Sequence, residues 1–239
     1  NYNRDVEIFP VLNAMFQKIQ GESPYKSPTD MGVNMAGFAI VDDAVCRAAS
    51  QVEILRRYYK TMVQKVRGEC DESVVRKLEI VMQQANVTPE ICPAVSACLE
   101  KAEETGAPAG SMVLPDGSVV TGKTSSLLGA SAALLLNATK YLAGIPHDKK
   151  LIAEDLIAPI QKTKVEYLHG HNPRLHTDEV LVALSLLSNH DEDCRKALDE
   201  LPKLKGCQVH STVMLSEVDH KIFNKLGVGL TCDPVTKVE

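Results

Sequence analysis

The tetrapeptide Leu114-Pro115-Asp116-Gly117 constrains the fold more than any other short segment of the chain. Proline presets φ at the first central position of a turn. Asp can bond the backbone two residues on, and Gly supplies the positive φ that closes the reversal. An apolar run, Met112-Val113-Leu114, precedes the turn, and Val119-Val120 follows it. The expected structure is a β-hairpin: residues 111–114 out, 115–117 turning, 118–121 back.

The same stretch matches a phosphate-binding loop. Gly117 to Thr124 reads G-S-V-V-T-G-K-T, the pattern G-x-x-x-x-G-K-[ST]. Such a loop needs a tight curl that points successive backbone N–H groups into one concavity. Val119 and Val120 resist that curl, because β-branched residues favour extended backbone. The hairpin is therefore the preferred reading. A narrower expectation survives it. A helix over residues 124–142 would present free N–H groups and a favourable dipole end beside Gly122, Lys123, Thr124 and Ser125, a setting suited to an anion.

The chain has 239 residues, enough for one large domain or two smaller ones. Residues 1–106 read as mainly helical, with segments expected at 6–19, 42–66, 72–85 and 89–103. From residue 107 onward the pattern changes to a small α/β domain with a mixed sheet. It adds helices near 124–142, 153–168, 178–188, 192–201 and 217–226, and strands near 208–215 and 227–231. The fold class expected is thus α/β with α+β character, helical first and sheet-containing second.

Composition narrows the partners. Formal net charge is −5 with no long basic run, so nucleic acid is not the expected partner. The longest apolar stretches, such as residues 127–136, are about half a membrane span. The seven cysteines form no C-x-x-C pair, which favours a reducing cytoplasm over a disulfide scaffold. The chain opens on Asn1 rather than Met, as a piece of a longer protein would.

The densest polar cluster is Arg174-Leu175-His176-Thr177-Asp178-Glu179, on a loop entering a helix. Arg174 can grip a phosphate or carboxylate bidentately. His176 can exchange a proton near neutral pH, with Asp178 orienting it. The competing reading is capping, with Thr177 as the cap and Asp178 and Glu179 serving the helix dipole. His169, His171 and His176 lack metal-ligand spacing, so no metal is expected. Cys207, His210 and Ser211 are secondary candidates. On a strand Cys207, Val209 and Ser211 face one way while Gln208, His210 and Thr212 face the other, so Cys207 and His210 cannot pair. The polar loop with Lys26, Ser27, Thr29, Asp30 and Asn34 reads equally as a ligand clamp or a solvated connector. Phe38-Ala39-Ile40-Val41-Asp42-Asp43 looks like the apolar run plus acid that binds magnesium in nucleotide hydrolases, and a helix cap explains it as well.

Several segments together resemble a bacterial family of uncharacterised proteins, domain-of-unknown-function family 1846. They are Asn1-Tyr2-Asn3-Arg4-Asp5-Val6-Glu7, the stretch from Ser23-Pro24-Tyr25 to Val33-Asn34, and Thr121-Gly122-Lys123-Thr124-Ser125. Asn172-Pro173-Arg174-Leu175-His176-Thr177-Asp178-Glu179-Val180 and Leu204-Lys205-Gly206-Cys207 through His210-Ser211-Thr212-Val213 complete the match. The resemblance implies a full-length protein about twice this length, of which this chain is the C-terminal half. It also implies a separate glycine-rich, phosphate-loop-like segment, and hence ATP with magnesium, in the missing N-terminal half. It implies no established activity.

The expectation is then the C-terminal part of a cytoplasmic, nucleotide-dependent transferase or ligase acting on an anionic small molecule. Its partners would be the missing half and a second copy of the chain. Lys123 and Arg174 would hold the anion, and His176 with Asp178 would act as acid–base. The loops at 26–34, 122–125 and 174–178 would line one cleft. The alternative is a non-catalytic oligomerisation or interaction module supporting the nucleotide-binding half.

Overall fold

A computed structural model describes residues 2–28, 31 and 43–236. The chain divides into two compact units, residues 1–92 and 93–239. The second begins earlier than residue 107 because the helix Pro93–Thr105 packs against the sheet.

The first unit is helical: α1 (Tyr2–Gln20), α2 (Asp43–Val66) and α3 (Glu72–Gln84), followed by a 3-10 turn at Pro89–Ile91. Its interior holds Phe9, Ile54, Leu55, Tyr59, Val75 and Val81. Gly68 ends the turn after α2 at φ +73, a left-handed conformation that glycine adopts without a Cβ penalty. The expected helix over 89–103 is instead the 3-10 turn and then α4 (Pro93–Thr105) in the second unit, with Cys92 extended between them. Residues before a proline are disfavoured in α conformation, so Pro93 starts a new helix.

The second unit carries β1 (Ala109–Val113), β2 (Val119–Lys123), β3 (Gln208–Ser211) and β4 (Gly229–Cys232) in the order β2-β1-β3-β4. β1 pairs antiparallel with β2 and β3, while β3 and β4 are parallel and joined through α9 (Glu217–Lys225). The hairpin forms as its turn chemistry dictates. Gly117 takes φ +83, the Ser118 N–H donates to Asp116 Oδ1 at 2.9 Å, and the Leu114 N–H donates to the Ser118 carbonyl at 2.8 Å.

One face of the sheet packs on α5 (Ala130–Leu142) and α9 through Met112, Leu134, Leu135, Val209 and Phe223. The other face meets α4, where the Ser111 hydroxyl donates to the Ala94 carbonyl. The remaining helices are α6 (Glu154–Lys162), which runs on into a π-helical turn (Thr163–Tyr167), α7 (Thr177–Leu187) and α8 (Glu192–Asp199). They bury Leu136, Ile157, Leu175, Val180 and Leu184 against the far side of α5. Helix α5 thus contributes to both cores, which is why eight of its thirteen residues are Ala or Leu.

Candidate functional site

The geometry of the hairpin excludes a phosphate cradle at residues 117–124. Gly122 lies inside β2, opposite Gly110, and faces α5. A Cβ placed on it would meet the Leu134 backbone nitrogen at 2.3 Å. The glycine therefore serves helix–sheet contact, not a phosphate. The expected anion site at Gly122, Lys123, Thr124 and Ser125 is also corrected. Helix α5 begins at Ala130, not at Thr124. The Thr124 N–H is taken by the Pro108 carbonyl at 2.8 Å and the Ser125 N–H by the Leu128 carbonyl at 2.9 Å. Lys123 ends the strand, and its charge helps lower the Glu104 carboxyl after the larger contribution of Lys101. The segment between strand and helix is instead fixed by the loop before α7. Leu128 bridges Leu175 in parallel, and Arg174 Nε donates to the Ser125 carbonyl at 2.8 Å.

That loop holds the strongest constellation in the chain. His176 occupies the N-cap position of α7 in extended backbone, with a partly exposed ring. Its Nδ1 lies 3.3 Å from Oδ2 of Asp219 on α9 and 3.4 Å from the Ser216 hydroxyl. Its Nε2 lies 3.4 Å from the Asn172 amide nitrogen. Asp219 is buried, and burial alone would raise its carboxyl. The His176 ring, the Thr177 N–H and the Ser216 hydroxyl outweigh burial and bring it down to about 2. Oδ1 accepts from the Thr177 N–H at 3.0 Å and from the Thr177 hydroxyl at 2.9 Å, and Oδ2 accepts from Ser216 Oγ at 2.8 Å.

These contacts fix the imidazole tautomer. An ionised carboxylate only accepts, so Nδ1 carries the proton in the neutral ring. Nε2 is then left with a lone pair, matched to the Asn172 N–H₂ and directed away from Asp219. The arrangement is a carboxylate-oriented histidine with its basic nitrogen outward. It is not a Ser-His-Asp triad, because Ser216 and Asp219 share one ring nitrogen and the serine hydroxyl is committed to the carboxylate.

Two expectations for this loop are corrected. Asp178 does not orient His176; its Oδ1 accepts the Glu179 N–H at 2.8 Å, and Asp219 has the orienting place. Thr177 is not the cap either, since it is the first helical residue and is itself held by Asp219. Asp178 and Glu179 instead border an apolar groove of about 480 Å³ between α6 and α7, floored by Leu156, Ile160, Ala183 and Leu187. Asp219 and Ser216 escaped the sequence reading, although Ser216-Glu217-Val218-Asp219 has the spacing of a helix start.

The secondary candidates separate as the alternation requires. Cys207 belongs with Val209 to the core on the α5 side, and burial pushes its thiol up. His210 is fully buried, with Nδ1 at 2.9 Å from Thr231 Oγ1 and Nε2 at 3.4 Å from Asp233. Ser211 Oγ donates to the Val213 carbonyl at 2.8 Å. In the first unit Lys26 is exposed and Ser27 buried, with the Ser27 carbonyl accepting from the Met31 N–H at 3.0 Å. Thr29, Asp30, Asn34 and the stretch 38–42 lie outside the described residues. Among the described residues no group of His, Cys, Asp and Glu side chains is arranged to hold a metal ion, and no helix is long and apolar enough to cross a membrane.

The sequence has clear relatives. Residues 90–239 match the family model described as domain of unknown function DUF1846, C-terminal, and residues 1–86 match its N-terminal counterpart. The match is thus not confined to the C-terminal model. The chain is 52% identical over 235 residues to a UPF0371 protein of Corynebacterium aurimucosum, covering 98% of this chain and 47% of that protein. It is 53% identical to a UPF0371 protein of Corynebacterium efficiens and 49% identical to one of Streptococcus thermophilus, each over 234 residues with the same coverage. The chain therefore spans about half the length of the curated relatives it matches.

Proposed function

The chain belongs to the DUF1846 family, and for it we propose a proton-transfer role centred on His176 in an enzyme that acts on an anionic small molecule. The observation that carries the reading is the pairing of His176 Nδ1 with the buried Asp219 carboxylate, which leaves Nε2 basic and outward. A carboxylate behind an imidazole fixes its tautomer and stabilises the imidazolium formed when Nε2 takes a proton. Arg174, two residues earlier, is anchored through Nε to the Ser125 carbonyl. Its remaining guanidinium N–H groups suit a phosphate or carboxylate on the substrate.

A transferase or ligase reaction fits this pair, with the arginine holding the anion and the histidine deprotonating the attacking group. Any nucleotide and magnesium used by the whole proteins would bind in the length of the relatives that this chain does not span. The test is a thermal-shift screen of nucleotides and phosphorylated metabolites against this chain and a full-length relative. Stabilisation that disappears in Arg174→Ala and in His176→Asn supports the reading. Stabilisation indifferent to both variants overturns it.

A second reading is supported by the apolar surface on α6 and α7, where Leu156, Val182 and Leu186 are exposed. As an interaction module the chain would bury this surface against a second copy. Solution mass measured for Leu186→Lys separates the readings, because loss of assembly with ligand binding retained favours a module.

A further inference from the structure

We propose that Lys164 is a positioning residue for His176, an inference that rests on the reading of His176 as the proton-transfer group. Lys164 lies in the π-helical turn that follows α6, and its side chain is largely buried. Its Nζ donates to the Arg174 carbonyl at 2.6 Å and to Glu179 Oε2 at 2.7 Å. The same Glu179 oxygen accepts the His176 backbone N–H at 2.7 Å. The Lys164 carbonyl meanwhile accepts the Gly170 N–H at 2.8 Å. One residue thus fastens the loop that carries Asn172 and Arg174 near both ends, and through Glu179 it holds the backbone of His176.

The π turn explains how Lys164 comes to this place. Pro159 contributes no N–H to α6, and Thr163 Oγ1 donates to the Pro159 carbonyl at 2.9 Å. An inserted residue widens the helix there and re-aims the side chains that follow, a device found often at functional sites. Gly170 then comes so close that a Cβ would lie 3.0 Å from the Lys164 carbonyl oxygen.

The electrostatic consequence is specific. The charged groups around His176 are Asp219 from α9, Asp178 and Glu179 from α7, Lys164 from the π turn and Arg174 from the loop. Lys164 neutralises Glu179, the carboxylate that also accepts the His176 backbone N–H. Without the lysine, the uncompensated carboxylate favours the imidazolium.

The experiment is an NMR titration of the His176 ring in the 239-residue chain, assigned with His176→Asn. Lys164→Met is expected to raise the midpoint. Lys164→Arg restores the wild-type value, and Glu179→Gln lowers it. A Lys164→Met protein that melts earlier with its midpoint unmoved has lost only structural support, and that overturns the inference. Should Lys164→Met fail to fold, Glu179→Gln decides, because an unmoved midpoint there overturns the inference equally. The titration needs no ligand, so it stands apart from the functional reading. Indifference of ligand binding to His176→Asn would overturn that reading with the midpoint shifts intact.

Discussion

Nδ1 of His176 lies 3.3 Å from Oδ2 of Asp219, although 43 residues separate them in the chain. The contact joins the start of α7 to the first turn of α9. It also explains the depressed carboxyl of Asp219, whose oxygens accept from Thr177 and Ser216 as well.

A carboxyl held near 2, below its ordinary 3.8, stabilises the fold wherever it is ionised. The contribution is full above the ordinary value and is lost as pH falls through the folded-state value. Asp219→Asn should therefore lower stability by about 2 kcal/mol at neutral pH. The gap between variant and wild type should close toward pH ~2, in keeping with that linkage. Urea unfolding at a series of pH values measures both.

Gly122 carries the contact between hairpin and helix. Its replacement by alanine forces a methyl group into the Leu134 backbone, which cannot move without displacing α5. The cost should be about 3 kcal/mol or more, at the upper end for overpacking. Chemical denaturation of Gly122→Ala checks this.

Lys123 gives a direct contrast with a true phosphate loop, whose lysine reaches the terminal phosphates. In this fold Lys123→Ala should leave nucleotide affinity, if the chain has any, unchanged. Arg174→Ala should abolish stabilisation by phosphorylated ligands. Thermal shifts of the two variants side by side settle the comparison.

The thiols provide a readout of the core. Burial pushes Cys98 up to about 12, and its Sγ donates to the Ala109 and His210 carbonyls at 3.2 and 3.4 Å. Cys98 and Cys207 should therefore resist thiol reagents at neutral pH in the native protein and react on unfolding. Mass spectrometry of pulse-labelled protein, with and without denaturant, reports the difference.

Local chemistry was legible from sequence, and long-range pairing was not. Pro115-Asp116-Gly117 announced the hairpin because each residue answers to its own backbone requirement. The span Asp43–Val66 was legible because its periodicity is long and Gly68 stops it. The start of α5 was misplaced because Thr124 and Ser125 look like caps, whereas their N–H groups are taken by Pro108 and Leu128. His176 was picked out for its chemistry, yet its partner was assigned to Asp178, the near carboxylate. Nothing in local pattern shows that Asp219 reaches back across α7 to hold it.

The central claim is that His176 keeps its proton on Nδ1, against Asp219, and offers Nε2 as the base. Nitrogen-15 NMR of the imidazole above its titration midpoint tests this directly. The account predicts the Nδ1–H tautomer in the wild type and its loss in Asp219→Asn. A neutral ring protonated on Nε2, or a tautomer indifferent to Asp219→Asn, would contradict it.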